Sequence, residues 1–163
     1  MKATRVGKWA HEIRAAMEFE TMQAGMSTAY APIITPHGEV LHNHEYHVQL
    51  HAGDLLLVDF GAEDRQGWAG DVTRTWPVSG QWSPTQKAIY AVVLESLKQT
   101  SSLIKAGVEY QALHACAVQT LTEGLIDLGI IKGSVEQAIQ DQTPMLFFPH
   151  GIGHLLGLDV HVK

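Results

Sequence analysis

The sequence predicts an α+β domain. Three observations carry this: an amphipathic helical pattern near the amino terminus, a set of short strand-like runs that ends in a hairpin, and two long helical patterns followed by a glycine-rich stretch. Strands grouped together and helices grouped together argue against alternating βαβ units.

The elements follow in chain order. Residues 9–23 read as a helix, because Trp9, Ile13, Ala16, Phe19, Met22 and Met26 recur by threes and fours and Gly25 supplies a stop. That stripe is expected to face the core. Extended segments are expected at 31–35 and 40–43, separated by the turn residues Pro36-His37-Gly38. Gly53-Asp54 turns the chain into Leu55-Leu56-Leu57-Val58-Asp59-Phe60, a buried strand, and Trp68 to Trp76 reads as its returning partner. Ser83-Pro84-Thr85-Gln86 is a helix start, with serine as cap, proline in the first turn and glutamine three residues after the cap. The helix it opens carries Ile89, Val92, Val93, Leu97 and Ile104 along one face and is expected to run to Gly107. A second, marked by Tyr110, Leu113, Ala117, Leu121, Leu125 and Leu128, ends at Gly129, and a short third begins at Ser134. The run Met145-Leu146-Phe147-Phe148 reads as a strand that delivers a tight loop at Pro149-His150-Gly151-Ile152-Gly153-His154.

At 163 residues the chain has enough material for one ordinary core, so a single domain over 1–163 is expected. Its 45% hydrophobic and 17% charged residues mark a globular chain with no low-complexity linker. The formal net charge is −6 and the 11 basic residues are scattered, which gives no electrostatic footprint for nucleic acid or anionic lipid. Small molecules or other proteins are the expected partners. No apolar run is long enough to span a bilayer, and Met1-Lys2-Ala3-Thr4-Arg5 leads into no signal-peptide core, so the cytoplasm is the expected location. The single cysteine, Cys116, lies in a helical pattern between Ala115 and Ala117 and reads as a core residue rather than a nucleophile.

Chemistry concentrates in two places. Asp59 and Asp71 stand equidistant from Arg65, so a hairpin turning there sets the two carboxylates directly opposite each other. Opposed like charges destabilise a strand pair, and carboxylates emerging from an apolar strand are costly unless paired, so a cation is expected between them. A divalent metal meets that demand. A one-residue slip would put them on different faces, with one aspartate in solvent or paired to Arg74, and the hairpin alone leaves both readings open.

The second place is a group of histidines, of which the chain has 10. His150 and His154 lie four apart, and Asp159 and His161 follow with the period of a strand, which puts their side chains on one face. Two carboxylates with clustered imidazoles favour a hard or borderline divalent ion such as Mn2+, Co2+ or Zn2+, and such ligands also build two-metal hydrolases. For His44, His47 and His51, in a polar stretch near turns, solvation outweighs ligation; His37 and His11 carry less still. His42 differs, because apolar Val40-Leu41 would carry it toward the core.

Four segments in order, Leu41-His42-Asn43, Asp54 to Glu63, Gly67 to Val78 and Pro149 to His161, resemble the aminopeptidase P and prolidase branch of the pita-bread metallopeptidases. The resemblance implies a curved, mostly antiparallel sheet with helices on its outer face. It implies that Asp59 binds one metal of a dinuclear centre, that Asp71 bridges both ions and that His154 ligates the second. His42, His150 and His161 match the family's substrate-positioning and proton-handling histidines. The implied reaction is hydrolysis of the peptide bond before proline, with two divalent ions, Mn2+ first and Co2+ or Zn2+ as alternatives. A proline-containing peptide is the implied substrate. The family also uses two glutamates on strands after the final histidine motif, and this sequence has two residues after His161. The expectation that follows is a catalytic-domain fragment, C-terminally truncated and starting within the first helix, with an incomplete ligand set, weak metal binding and little activity by itself. An unpaired sheet edge would then favour a homodimer. A non-catalytic peptide- or protein-binding module on the same fold is the alternative.

Overall fold

The computed structural model describes residues 3–161, so Met1-Lys2 at the amino terminus and the closing Val162-Lys163 lie outside the described residues. The chain divides into two compact units, Met1–Trp82 with His154–Lys163, and Ser83–Gly153.

In the first unit, helix α1 spans Ala10–Gln23. Glu12 reaches back so that its carboxylate accepts the Trp9 N–H at 2.9 Å, and Gly25 takes the positive φ that ends the helix. Two short strands follow, β1 (Ser27–Thr28) and β2 (Ile33–Thr35). The expected strand at 40–43 is absent, because the chain turns there: Val40 and Leu41 are each 52% exposed and His42 has a φ of 52°. The apolar pair therefore does not carry His42 inward.

Strand β3 (Leu55–Phe60), β4 (Ala62–Glu63) and β5 (Val72–Pro77) complete the unit. β3 is the middle strand of a three-stranded antiparallel sheet ordered β2-β3-β5, and β4 pairs with β1. Alternation along β3 turns Leu56 and Val58 into the core, where they meet Ala10, Ile13, Ile34, Leu50 and Val78. Leu55, Leu57 and Asp59 take the other face.

The hairpin closes in a different register from the expected one. Asp59 stands opposite Thr73 and Phe60 opposite Val72, so the turn centres on Gln66 and not Arg65. Gly67, with a φ of 89°, donates its N–H to the Asp64 carbonyl at 3.0 Å, and the Asp64 side chain accepts the Gln66 and Trp68 N–H groups at 2.9 Å each. This is the three-residue loop with a left-handed third position, which glycine adopts at little cost. Asp71 consequently lies diagonal to Asp59 and not directly across from it. A shift of two keeps both on one face.

The second unit contains α2 (Pro84–Ser102), α3 (Tyr110–Asp127) and α4 (Val135–Gln140). Ser83 caps α2 as expected, accepting the Gln86 N–H at 3.2 Å, and Ser134 caps α4. α2 ends at Ser102, well short of Gly107. The face along which it packs overlaps the expected one only at Val92. Its buried residues are Ser96 and Thr100, while Val93, Leu97 and Ile104 are exposed. Ser96 donates to the Ala117 carbonyl at 3.2 Å, and a side chain at Gly124 would collide with Val92 at 2.5 Å, so small residues bring α2 and α3 together. Leu125, Ile131 and Ala138 form a second apolar cluster beneath α4. The expected strand at 145–148 is a 3-10 turn over Thr143–Leu146, entered through Gln142 in a left-handed conformation. Proline at its start suits a helical turn and not a ladder. Cys116 is half-buried within α3.

Candidate metal centre

Asp59 leaves the non-core face of β3, and Asp71 stands just ahead of β5 on the same side of the hairpin. Between them sits a group that sequence reasoning missed. The Tyr30 hydroxyl lies 2.6 Å from Asp59 Oδ1 and 2.7 Å from Asp71 Oδ1. A phenol carries one proton, and two oxygen contacts of this length call for two, so one carboxyl shares in the protonation. Burial pushes the Asp59 carboxyl above its ordinary range, and neighbouring Asp71 pushes the same way, against hydrogen bonds from Tyr30 and Thr73. Burial and both carboxylates drive Tyr30 ionisation far upward, so the phenol stays neutral.

His154 completes the cluster from the far end of the sequence. Its Nε2 lies 3.0 Å from Asp71 Oδ2, with Asp71 only 20% exposed. Its Nδ1 donates to the Leu155 carbonyl at 2.9 Å, and that hydrogen bond is the main reason its pKa is raised, with Asp71 and Asp59 adding to it. A proton fixed on Nδ1 by a backbone carbonyl is how a ligating imidazole is oriented to offer Nε2. The His161 ring packs against His154 at 4.5 Å between centroids. Residues 157–161 form bends and not the expected strand, so His161 reaches His154 by a fold of the chain, while Asp159 is exposed. The Ala69 N–H donates to the Gly157 carbonyl at 3.0 Å, which ties this segment to the hairpin. Beside it, Trp68, Leu155, Leu156, Leu158, Asp159 and His161 line a largely apolar hollow of about 630 Å³.

The structure thus brings together Asp59, Asp71, His154 and His161. His42 lies on an exposed turn. His150 belongs to the second unit, where Phe148 meets its ring edge-on at 4.8 Å and itself stacks on His114 at 5.6 Å. Among the described residues, no three His, Cys, Asp or Glu side chains close around one point as a finished cage. What they form is a chain of contacts, Asp59 to Tyr30 to Asp71 to His154. Two carboxylates and one correctly oriented imidazole nitrogen nonetheless fit a divalent ion.

No signal in the sequence marked Tyr30. It falls in the bend between β1 and β2, flanked by Ala29 and Ala31, where no periodicity singles it out.

The chain is similar to known proteins over nearly its whole length. The Xaa-Pro aminopeptidase of Escherichia coli (strain K12) is 36% identical over 164 residues, covering 99% of this chain and 37% of its own length. The Xaa-Pro aminopeptidase of Haemophilus influenzae is 37% identical, with 99% of this chain and 38% of its own length covered. Among solved structures, Zn-substituted E. coli aminopeptidase P in complex with product superposes with a TM-score of 0.93 at 36% identity, over 97% of this chain and 36% of that one. Proline aminopeptidase P II from Yersinia pestis gives 0.94 at 37% identity, over 97% and 37%. The chain spans somewhat over a third of the length of these relatives. The α+β pita-bread fold implied by the sequence resemblance is therefore the fold observed. The family model for metallopeptidase family M24 matches residues 1–163, and the chain belongs to that family.

Proposed function

We propose that the protein carrying this chain is a metal-dependent Xaa-Pro aminopeptidase that hydrolyses the peptide bond preceding proline. The observation that carries the reading is the convergence of Asp59, Asp71 and His154, three residues far apart in sequence, within hydrogen-bonding reach through Tyr30 and Asp71 itself. Aminopeptidase is preferred to prolidase because the relatives bear that name. One solved relative is described as bound to product.

Asp59, Asp71 and His154 would hold the metal, with Asp71 the bridging ligand of a pair and Mn2+ the expected ion. Bound there, divalent ions supply a Lewis acid and an activated water. The remaining work falls to the chain's own groups. The Leu155 carbonyl keeps the His154 proton on Nδ1, leaving Nε2 for ligation. His161, packed at a tilt against His154 at the edge of the hollow, is placed to exchange a proton with a bound peptide. His42 and His150 are assigned substrate positioning and proton handling by the family resemblance. The apolar wall of Trp68, Leu155 and Leu158 suits a nonpolar substrate residue. A cytoplasmic homodimer is the accompanying proposal; no helix among the described residues is long and apolar enough to cross a membrane.

The test is turnover of a tripeptide with proline in second position by the Mn2+-loaded protein, beside the same peptide with alanine there. Selective release of the amino-terminal residue supports the reading. The whole protein that carries this chain, loaded with Mn2+ yet inert on every such peptide, defeats it.

A further inference from the structure

Tyr30 and Gly61 form a device whose parts lie on three segments of one unit. A single hydroxyl engages Oδ1 of both aspartates, so the Oδ2 atoms are the ones left for other partners; Oδ2 of Asp71 already faces His154. The phenol reaches this position because residue 61 has no side chain. A Cβ at Gly61 would stand 2.7 Å from Tyr30 Cε1 and 1.8 Å from the Gly70 carbonyl oxygen. Neither contact is sterically possible, and the second is with backbone that cannot step aside cheaply. The bend that carries Tyr30 is also stapled at the same point, since the Ala29 N–H donates to the Gly61 carbonyl at 3.0 Å.

We propose that Tyr30, seated against the bare backbone of Gly61, is a positioning residue that sets the orientation of the two aspartate ligands. The proposal rests on the metal-centre reading above and adds the residues that hold its ligands in place. Two carboxylates on one strand face repel and rotate apart unless something holds both. The Tyr30 oxygen lies between one oxygen of each, donating its single proton to one carboxylate and facing the other, and so biases which oxygens are presented. Partners of ligands that act this way typically carry about 10–100-fold in metal affinity. Tyr30→Phe keeps the ring and its contact with Gly61 and removes only the oxygen.

The experiment is titration of the purified protein with Mn2+ alone, followed by calorimetry, with Co2+ absorption spectra as a second readout and the melting temperature of the metal-free protein as control. Wild type, Tyr30→Phe, Gly61→Ala and Asp71→Ala are compared. The expected result for Tyr30→Phe is an affinity about tenfold or more weaker and an altered Co2+ spectrum, with the metal-free melting temperature unchanged. Gly61→Ala is expected to lower both affinity and melting temperature. Should it fail to fold, Tyr30→Phe alone decides. Tyr30→Phe binding Mn2+ as wild type does, or losing affinity only in step with thermal stability, overturns the proposal and leaves the metal centre standing if Asp71→Ala still loses the ion. Wild type that binds no Mn2+, or Asp71→Ala that binds it fully, overturns both.

Discussion

The hairpin that carries Asp59 and Asp71 and the segment that carries His154 and His161 serve one site by opposite means. The hairpin is a ladder: six residues of β3 pair with six of β5, and alternate side chains are committed to the core. Residues 151–161 contain no helix or strand; besides the buried Val160, they are held by scattered contacts such as Ala69 to Gly157 and Asp71 to His154. The carboxylates are thus a fixed reference and the imidazoles are brought to it. A site built so combines a rigid base with a wall whose shape the loop sets.

The largest expected effect separates the two regions by the same substitution. Leu56 is fully buried in β3, and Leu56→Ala should cost about 2–5 kcal/mol, from lost burial and the cavity left behind. Leu155, 74% exposed, should change stability by less than about 0.5 kcal/mol on replacement by alanine. Urea denaturation of the two variants measures the contrast. Equal losses would mean that the histidine segment is as firmly packed as the ladder.

Next is the residue that joins the regions. Asp71 meets the Tyr30 hydroxyl through one oxygen and His154 Nε2 through the other. Asp71→Ala should weaken Mn2+ binding by at least about 100-fold, the upper end of what even indirect ligand partners contribute. Equilibrium titration with the ion gives the number. A loss no greater than that of Tyr30→Phe would demote Asp71 from ligand to support.

The pH dependence sharpens the comparison further, because the raised pKa values fall in both regions, at Asp59 and at His154. Protons compete with the ion at both groups, so Mn2+ affinity should fall as the pH drops, from above the ordinary imidazole range, by up to about tenfold per unit for each proton displaced. Metal-free stability runs the other way at His154. A histidine raised in the folded state gives its full contribution below the unfolded imidazole value and loses it as pH rises through the folded one. Calorimetric titrations at a series of pH values, and melting curves without metal over the same range, test the two signs separately.

Legibility in the sequence follows the same division. The strand, the turn, the serine caps and the two aspartates were readable because ladders and caps are written in local pattern. The hairpin register differs from the expected one by two, since the pattern alone does not reveal that Gly67 takes the left-handed place in a three-residue loop. The sequence pattern locates α2 but only part of its packed face, Val92. Long aliphatic residues dominate its pattern, whereas the contact with α3 joins Val92 to Gly124 and Ser96 to Ala117, with the small residues allowing close approach. Tyr30, the turn at His42 and the bends at 157–161 carry no periodicity, and only tertiary contacts define them.

The smallest effect tests whether the turn, and not only the ladder, places Asp71. The Asp64 side chain holds the loop, taking the Gln66 and Trp68 N–H groups on a single oxygen. Removing it with Asp64→Ala should cost about 1 kcal/mol, because both donors lie at the surface and water replaces much of what is lost. The six-residue pairing of β3 with β5 remains, so the register, and with it the diagonal relation of Asp59 to Asp71, should persist. Mn2+ affinity within about twofold of wild type, beside a stability loss of that size, would assign the register to the ladder. A collapse of affinity with so small a change in stability would mean instead that the turn sets the register, since a one-residue slip turns Asp71 to the opposite face.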